Sequence, residues 1–466
     1  MAIYFYNTAA KKKQLFKTIK EKKVDLYTCG PTVYDYSHIG NFRTFIFQDV
    51  LKKWLIFSGY KVKHVMNITD VDDKTIKRSI NEGVRLKDLT THYEQKFFED
   101  LGWLKIAKAD FYPRATDSIS KIIEMISTLI SKKYAYVEKD GSVYFNVKNF
   151  EKYGELSGLL MNHSSKSTRM LNDEYDKDSP QDFALWKSYK KSDGITFWDS
   201  PWGKGRPGWH IECSAMSIRY LGESFDIHCG GVDNIFPHHE NEIAQSEGFT
   251  GKKFVNFWLH SEHLMIEKAK MSKSSKNFFT IRYLKECGFK ASALRYLLLC
   301  GHYRHKLKFS LNSMMEGNRV IEKIENFSFR LIDRGAPYLD KKLLKEPEDC
   351  KIFKKHMNND LDTPKALAVF FSYLKRMNKF LDNDKLAKVD LGQAWAFFST
   401  FNDVFSMVDL KELVVPSSIN SLLALRKKAR ANKDWKASDE IRSLIREKGY
   451  DVEDSIHGQR IKKIRL

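Results

Sequence analysis

The sequence predicts an α/β fold: a Rossmann-like doubly wound parallel sheet, broken by an inserted connective domain and followed by a C-terminal helical region. Three observations carry this. Residues 24–70 read in turn as strand, helix and strand. Between about residues 110 and 199 the texture changes to short strands and polar loops. From about residue 291 the apolar spacing is helical.

Residues 24–29 form an apolar run closed by a Gly30-Pro31 turn, the mark of a strand. Phe45, Val50, Leu51 and Trp54 recur at helical spacing and predict a helix over about 40–57, with the next strand at 62–68. A strand, helix and strand of these lengths begin a doubly wound sheet. The turn lacks G-x-G-x-x-G, which excludes a dinucleotide fingerprint. Short strands at 134–137 and 142–146, with polar loops at 162–168 and 172–181, mark the insertion. The sheet resumes near Gly208, and a strand at 254–259 leads toward a loop at Lys270. Leu294, Leu297 and Leu298 open the helical region, which continues at 353–386 and 394–408. Val415-Pro416-Ser417-Ser418 is a linker, and beyond it Arg426, Lys427, Lys428, Arg430, Lys433 and Lys436 share a helical stretch with Trp435. These changes divide the chain into two sheet halves (1–110 and 201–260), the insertion (111–200), a linking domain (261–315), a helical bundle (316–412) and a small basic module (413–466).

With 466 residues, 42% hydrophobic and 30% charged, the chain is long enough for several cores and too apolar to be disordered. Its net charge of +20 favours an anionic partner, nucleic acid first, although a lysine-rich background raises charge too. No apolar run is long enough to span a bilayer and the first residues hold no signal-peptide core, so a cytoplasmic protein without a membrane partner is expected. Six dispersed cysteines are no disulfide scaffold; in a reducing compartment some become candidate metal ligands.

Two distant segments, Ser37-His38-Ile39-Gly40-Asn41 and Lys270-Met271-Ser272-Lys273-Ser274, stand out. The first lies on the strand-to-helix turn, where unpaired backbone N–H groups and the helix dipole favour phosphate. The second puts two lysines in a small polar loop, and lysine is a flexible point charge suited to a triphosphate whose charge moves during reaction. Either alone is more often a plain turn or a solvated loop. As a pair in this order they resemble the HIGH and KMSKS signatures of class I aminoacyl-tRNA synthetases. The second matches letter for letter; in the first, Asn41 replaces the final histidine, keeping a hydrogen-bond donor but no charge.

The segments Gly208-Trp209-His210-Ile211-Glu212-Cys213 and Pro237-His238-His239-Glu240-Asn241-Glu242 concentrate metal-ligand types. His238 and Glu242 are four apart, so on a helix opening at Pro237 they face one point. With Cys213, and with Cys29 at the end of the first strand, they offer two thiolates, an imidazole and a carboxylate, a set suited to tetrahedral zinc. Buried core cysteines beside an ordinary acidic helix is the competing reading. An H-E-x-x-H protease site is excluded, because the fifth residue from His239 is Ile243.

Residues 208–216, Phe225-Asp226-Ile227-His228, Gly230-Gly231-Val232-Asp233, residues 236–245 and residues 28–35 resemble the cysteinyl-tRNA synthetase family, and the resemblance runs from about residue 3 to the basic tail. It implies that Cys29, Cys213, His238 and Glu242 bind one zinc ion. Trp209, His228 and Asp233 are implied to line the amino-acid pocket. His38, Gly40, Asn41, Lys270 and Lys273 are implied to bind ATP with Mg2+, with His38, Asn41, Lys270 and Lys273 catalytic. ATP, L-cysteine and tRNA(Cys) are the implied partners of a monomer. Ala293-Leu294-Arg295-Tyr296 resembles the start of that group's helical anticodon-binding domain, and the basic residues around Trp435 suit phosphate contacts with base stacking. Two departures stand out: Cys229 where glycine is expected, and the ending Gly458-Gln459-Arg460-Ile461 in place of small residues and Trp.

The implied chemistry explains the donor set. Cysteine differs from serine and alanine by too little size for packing, which yields only about 1–3 kcal/mol per small group. A soft metal on the substrate's sulfur uses a chemical difference instead. An editing domain is then unnecessary, and the insertion reads as too short and strand-poor for one. Two rivals remain: a ligase joining activated cysteine to an amino sugar, which needs no long basic C-terminal region, and a zinc-stabilised RNA-binding protein, which needs neither signature.

Overall fold

A computed structural model of the chain describes residues 2–158, 182–266, 269–270, 279–339, 344–383, 386–410, 416–455 and 458–463. The chain forms two compact units, Met1–Met407 and Val408–Leu466. No described helix is long and apolar enough to cross a membrane.

The first unit is built on a four-stranded parallel sheet in the order Val255–Ser261, Phe225–Gly231, Lys23–Thr28, Lys61–Met66. The two central strands lie side by side, with Leu26, Tyr27 and Thr28 opposite Ile227, His228 and Cys229. Each half of the chain adds its second strand outward, so the order reverses between Lys23–Thr28 and Phe225–Gly231. That reversal opens a crevice at the strands' C-terminal ends, where open α/β sheets bind ligands. The Phe225–Gly231 strand is buried at every position, as a sheet covered on both faces requires. An antiparallel hairpin, Tyr4–Asn7 with Lys12–Leu15, covers one sheet edge through Thr8 N–H to Trp258 O (2.9 Å) and Trp258 N–H to Asn7 Oδ1 (3.0 Å).

The predicted first helix is Ile39–Phe57. Apart from Gly40 it holds no glycine or proline, and it ends before Gly59 at φ +88°. Phe42, Ile46, Val50, Leu51, Trp54 and Leu55 bury several sides of it, because it is sandwiched between the sheet and the helical region.

The insertion is richer in strands than the sequence suggests. It holds a four-stranded antiparallel sheet ordered Ala135–Val137, Val143–Phe145, Phe183–Ser188, Gly205–Pro207. Phe183, Ala184, Leu185 and Trp186 are buried in succession, so the strand lacks the alternation that marks a half-exposed one. The following region is not uniformly helical either. Between the helices Ala291–Cys300 and Leu311–Asp333, the strand Leu307–Phe309 pairs with Leu264–Ile266, whose other neighbour is Ala269–Lys270. The helices Glu348–Asn358, Thr363–Asp382 and Lys388–Phe405 complete the first unit.

The second unit contains the helices Ser417–Ala431 and Trp435–Glu447 and a hairpin, Tyr450–Ser455 with Gly458–Lys463, that the sequence reading missed. The divergent ending lies in this hairpin. Gln459 Oε1 accepts from Arg426 Nη1 (2.7 Å), and Ile461 is buried opposite Val452.

Candidate metal and nucleotide centre

The crevice collects the predicted ligands from three elements. Cys29 follows the Lys23–Thr28 strand, and its N–H donates to Cys229 O (3.2 Å). Gly30 behind it lies against Asn67, and a Cβ there would strike Asn67 O. Cys213 lies in the helix Trp209–Leu221. Glu242 lies in the helix Glu240–Thr250, and His238 in the irregular turn before it. The sequence reading began that helix at Pro237; Phe236 is extended (φ −134°, ψ 132°), and the α-helix starts at Glu240. His238 still meets Glu242, with Nε2 3.1 Å from Oε1.

The four donor atoms of Cys29, Cys213, His238 and Glu242 lie within 4.8 Å of one another. Burial pushes the Glu242 carboxyl up to about 8 and the His238 imidazole down to about 3. A hydrogen bond with Cys29, then burial, drives the Cys213 thiol well above its ordinary value. A divalent cation among these groups reverses that cost by stabilising thiolates and carboxylate together. Glu242 Oε1 is buried without a hydrogen bond of good geometry, an orphaned acceptor that fits a cation. Two sulfurs, one nitrogen and one oxygen suit a tetrahedral, borderline-soft ion.

The three residues expected around the amino acid are placed differently from one another. Trp209 is 43% exposed, and its indole stacks on His238 with centroids 4.4 Å apart. Asp233 is exposed in the turn after Gly231. His228 is wholly buried, with Nε2 2.9 Å from Glu242 Oε2 and its ring stacked on Trp258. The sequence reading placed His210 and His239 in its ligand-rich segments without giving either a role, and missed His260. His239 Nε2 is 3.3 Å from Cys29 Sγ and its Nδ1 is 2.7 Å from His260 Nε2, while His210 Nδ1 is 2.9 Å from His238 Nδ1.

The first signature opens the helix Ile39–Phe57. His38 Nδ1 accepts from Asn41 N–H (3.2 Å) and Asn41 Oδ1 accepts from His38 N–H (3.1 Å), a reciprocal cap. Gly40 lies in the first turn, where backbone N–H groups lack helical partners. Lys270 ends the short strand Ala269–Lys270; its side chain and all of Lys273 lie outside the described residues. The chain then returns to the first signature: Ile39 N–H donates to Phe279 O (2.9 Å), and His38 bridges Thr280.

Comparison with known proteins gives the family. Residues 15–319 match the tRNA synthetases class I (C) catalytic domain, 352–409 the DALR domain, and 414–461 the cysteinyl-tRNA ligase anticodon binding domain. The chain is 44% identical to the cysteine–tRNA ligase of Chlamydia felis, over 99% of this chain and 98% of that protein. It is also 44% identical to the cysteine–tRNA ligase of Chlamydia muridarum, over 100% of both. The fold is similar to that of Mycobacterium tuberculosis methionyl-tRNA synthetase in complex with methionyl-adenylate, with a TM-score of 0.58 and 14% identity over 87% of this chain and 94% of that one. Given a catalytic-domain match across residues 15–319 and 44% identity over nearly the full length, the chain belongs to the cysteinyl-tRNA ligase family of class I synthetases.

Proposed function

We propose that the chain joins L-cysteine to tRNA(Cys) in two steps. The cysteine carboxylate attacks the α-phosphate of ATP, giving cysteinyl-adenylate and pyrophosphate. The tRNA's terminal adenosine then attacks the activated carbonyl. The observation that carries this reading is the convergence of Cys29, Cys213, His238 and Glu242 at the sheet's reversal point, where Cys29 follows the strand whose next helix is opened by His38.

In this reading those four residues hold one zinc ion, which when bound takes the substrate's sulfur as thiolate and so separates cysteine from serine. Trp209 covers His238 from the open side, Asp233 offers a carboxylate to the substrate's ammonium, and His228 supports Glu242 from beneath. His38, Gly40 and Asn41 receive phosphates and ribose at the helix N-terminus. Lys270 and Lys273 hold the charge of the transition state, with Mg2+ accompanying the triphosphate. Positioning and charge stabilisation then suffice, and no covalent nucleophile is needed.

The domain divisions follow: sheet halves at 1–110 and 201–260, insertion at 111–200, linking domain at 261–315, helical bundle at 316–412 and basic module at 413–466. The strand Gly205–Pro207 belongs by pairing to the insertion's sheet, which supports moving that boundary a few residues on. The chain works as a cytoplasmic monomer; all six cysteines are free thiols, in keeping with a reducing compartment.

Charging of bulk tRNA with labelled cysteine, ATP and Mg2+, with serine as control, tests the reading. Charging with cysteine alone is expected. Cysteine-dependent pyrophosphate exchange without charging would replace tRNA by another acceptor such as an amino sugar, and neither signal would sink the enzyme reading.

A further inference from the structure

The centre holds more donors than one ion uses. Cys29, His228, His239 and Glu242 form a second set whose donor atoms also lie within 4.8 Å of one another, and the two sets share Cys29 and Glu242. Neighbouring ligands in a tetrahedral zinc site are about 3.3–3.8 Å apart, given Zn–N of about 2.0 Å and Zn–S of about 2.3 Å. Either set therefore closes on an ion through side-chain shifts of about an ångström.

His228 and His239 both present a ring nitrogen to the shared ligands. Each aims Nε2 at a shared ligand: His239 at Cys29 Sγ (3.3 Å) and His228 at Glu242 Oε2 (2.9 Å). His239 is held from behind, Nδ1 to His260 Nε2 at 2.7 Å, and His260 Nδ1 to Thr8 Oγ1 at 2.7 Å. His238 of the first set is held in the same way by His210. An outer hydrogen bond on the ring nitrogen away from the metal is what fixes a ligating imidazole's tautomer and aim. Gly230 makes room for His239, since a Cβ there would lie 2.6 Å from His239 Cε1.

We propose that the centre is a two-position metal site, in which a borderline divalent cation held by Cys29, Cys213, His238 and Glu242 has a second, overlapping position ligated by Cys29, His228, His239 and Glu242. This rests on the reading that the centre binds a metal. The second position has one thiolate and two imidazoles, a less soft set. Cys213 and His238 are thus replaceable ligands, whereas Cys29 and Glu242 are not.

The test loads the full chain with Co2+ alone and reads bound cobalt and thiolate-to-cobalt charge-transfer absorption. The wild type and His239→Ala are expected to bind one cobalt per chain with a two-thiolate spectrum. Cys213→Ala is expected to keep one cobalt, with about half the charge-transfer intensity because one thiolate of two remains. His238→Ala is expected to keep its cobalt as well, which covers the case in which Cys213→Ala misfolds. Adding His239→Ala to either variant should drop bound cobalt to about a tenth or less. A folded Cys213→Ala or His238→Ala chain without cobalt overturns the second position, as does a double variant that binds as much as its parent. A wild type that binds no cobalt would overturn the metal reading itself.

Discussion

Asn41 shows how one side chain can serve both fold and chemistry. Its Oδ1 caps His38 N–H, so its remaining hydrogen-bonding capacity is the donating amide. Asn41→Ala is expected to cost about 1 kcal/mol of stability through the lost cap and to raise the KM for ATP. Asn41→Asp keeps the cap yet faces phosphate with a negative charge, so its melting temperature should match the wild type while pyrophosphate exchange falls about tenfold or more. Thermal melts and exchange assays on the pair decide this; an Asp variant as active as the wild type would remove Asn41 from the ATP site. Cys29 and Glu242 belong to both metal sets. Cys29→Ser and Glu242→Ala should therefore lower metal content and cysteine activation together, and full metal with normal activation in both would sink the tetrad.

At the level of elements, two arginines that the sequence groups with RNA-binding features turn out to be structural. Arg295 is wholly buried, with Nη2 on Asp49 Oδ2 (2.6 Å), Nη1 on Leu104 O (2.9 Å) and Nε on Phe405 O (2.8 Å). It ties the helix Ala291–Cys300 to Ile39–Phe57 and Lys388–Phe405. Arg295→Met is expected to destabilise the first unit by about 3 kcal/mol, since Asp49 stays buried after losing its buried cation partner, with Lys53 Nζ and the Ala107 N–H left on its carboxylate. A urea midpoint unchanged within error would refute that. Arg426, 1% exposed, grips Asp454 with both Nη atoms (2.8 and 2.9 Å). By contrast Trp435 is 56% exposed with the Arg430 guanidinium 5.4 Å from its ring, and Lys427, Lys428, Lys433 and Lys436 are exposed. Arg426→Ala should melt the second unit. Trp435→Ala should leave it folded and weaken tRNA binding, while pyrophosphate exchange stays at the wild-type rate in both. Wild-type tRNA affinity in Trp435→Ala would show that the stacking contact is not made.

For the whole molecule, buried histidines set the response to acid. Burial, then the charge of Lys52, pushes His64 from its ordinary 6.5 down to about 3. Between those values the unfolded chain binds a proton that the folded chain refuses. Stability is therefore lost as pH falls below 6.5, by about 1.4 kcal/mol per pH unit for each such proton. His64→Gln should flatten the fall in melting temperature between pH 7 and 5 relative to the wild type, and an unchanged slope would show that His64 is not a source of it.

Taken alone, the sequence settles the things that depend on local order. The first strand and the helix after it follow from apolar spacing and turn residues within a few tens of positions, and the two signatures are legible as short local strings through their resemblance to those of class I synthetases. The ligand types follow from which side chains can bind a soft ion. Tertiary structure decides what depends on residues meeting from far apart. Cys29 reaches Cys213 and Glu242 only because the two central strands pair in parallel across the insertion. The outer shell of His239, His260 and Thr8 spans 252 positions of sequence, and no local pattern encodes it. Arg295 and Arg426 look like any surface cation in the sequence; burial against a carboxylate, a property of packing, makes them part of the frame.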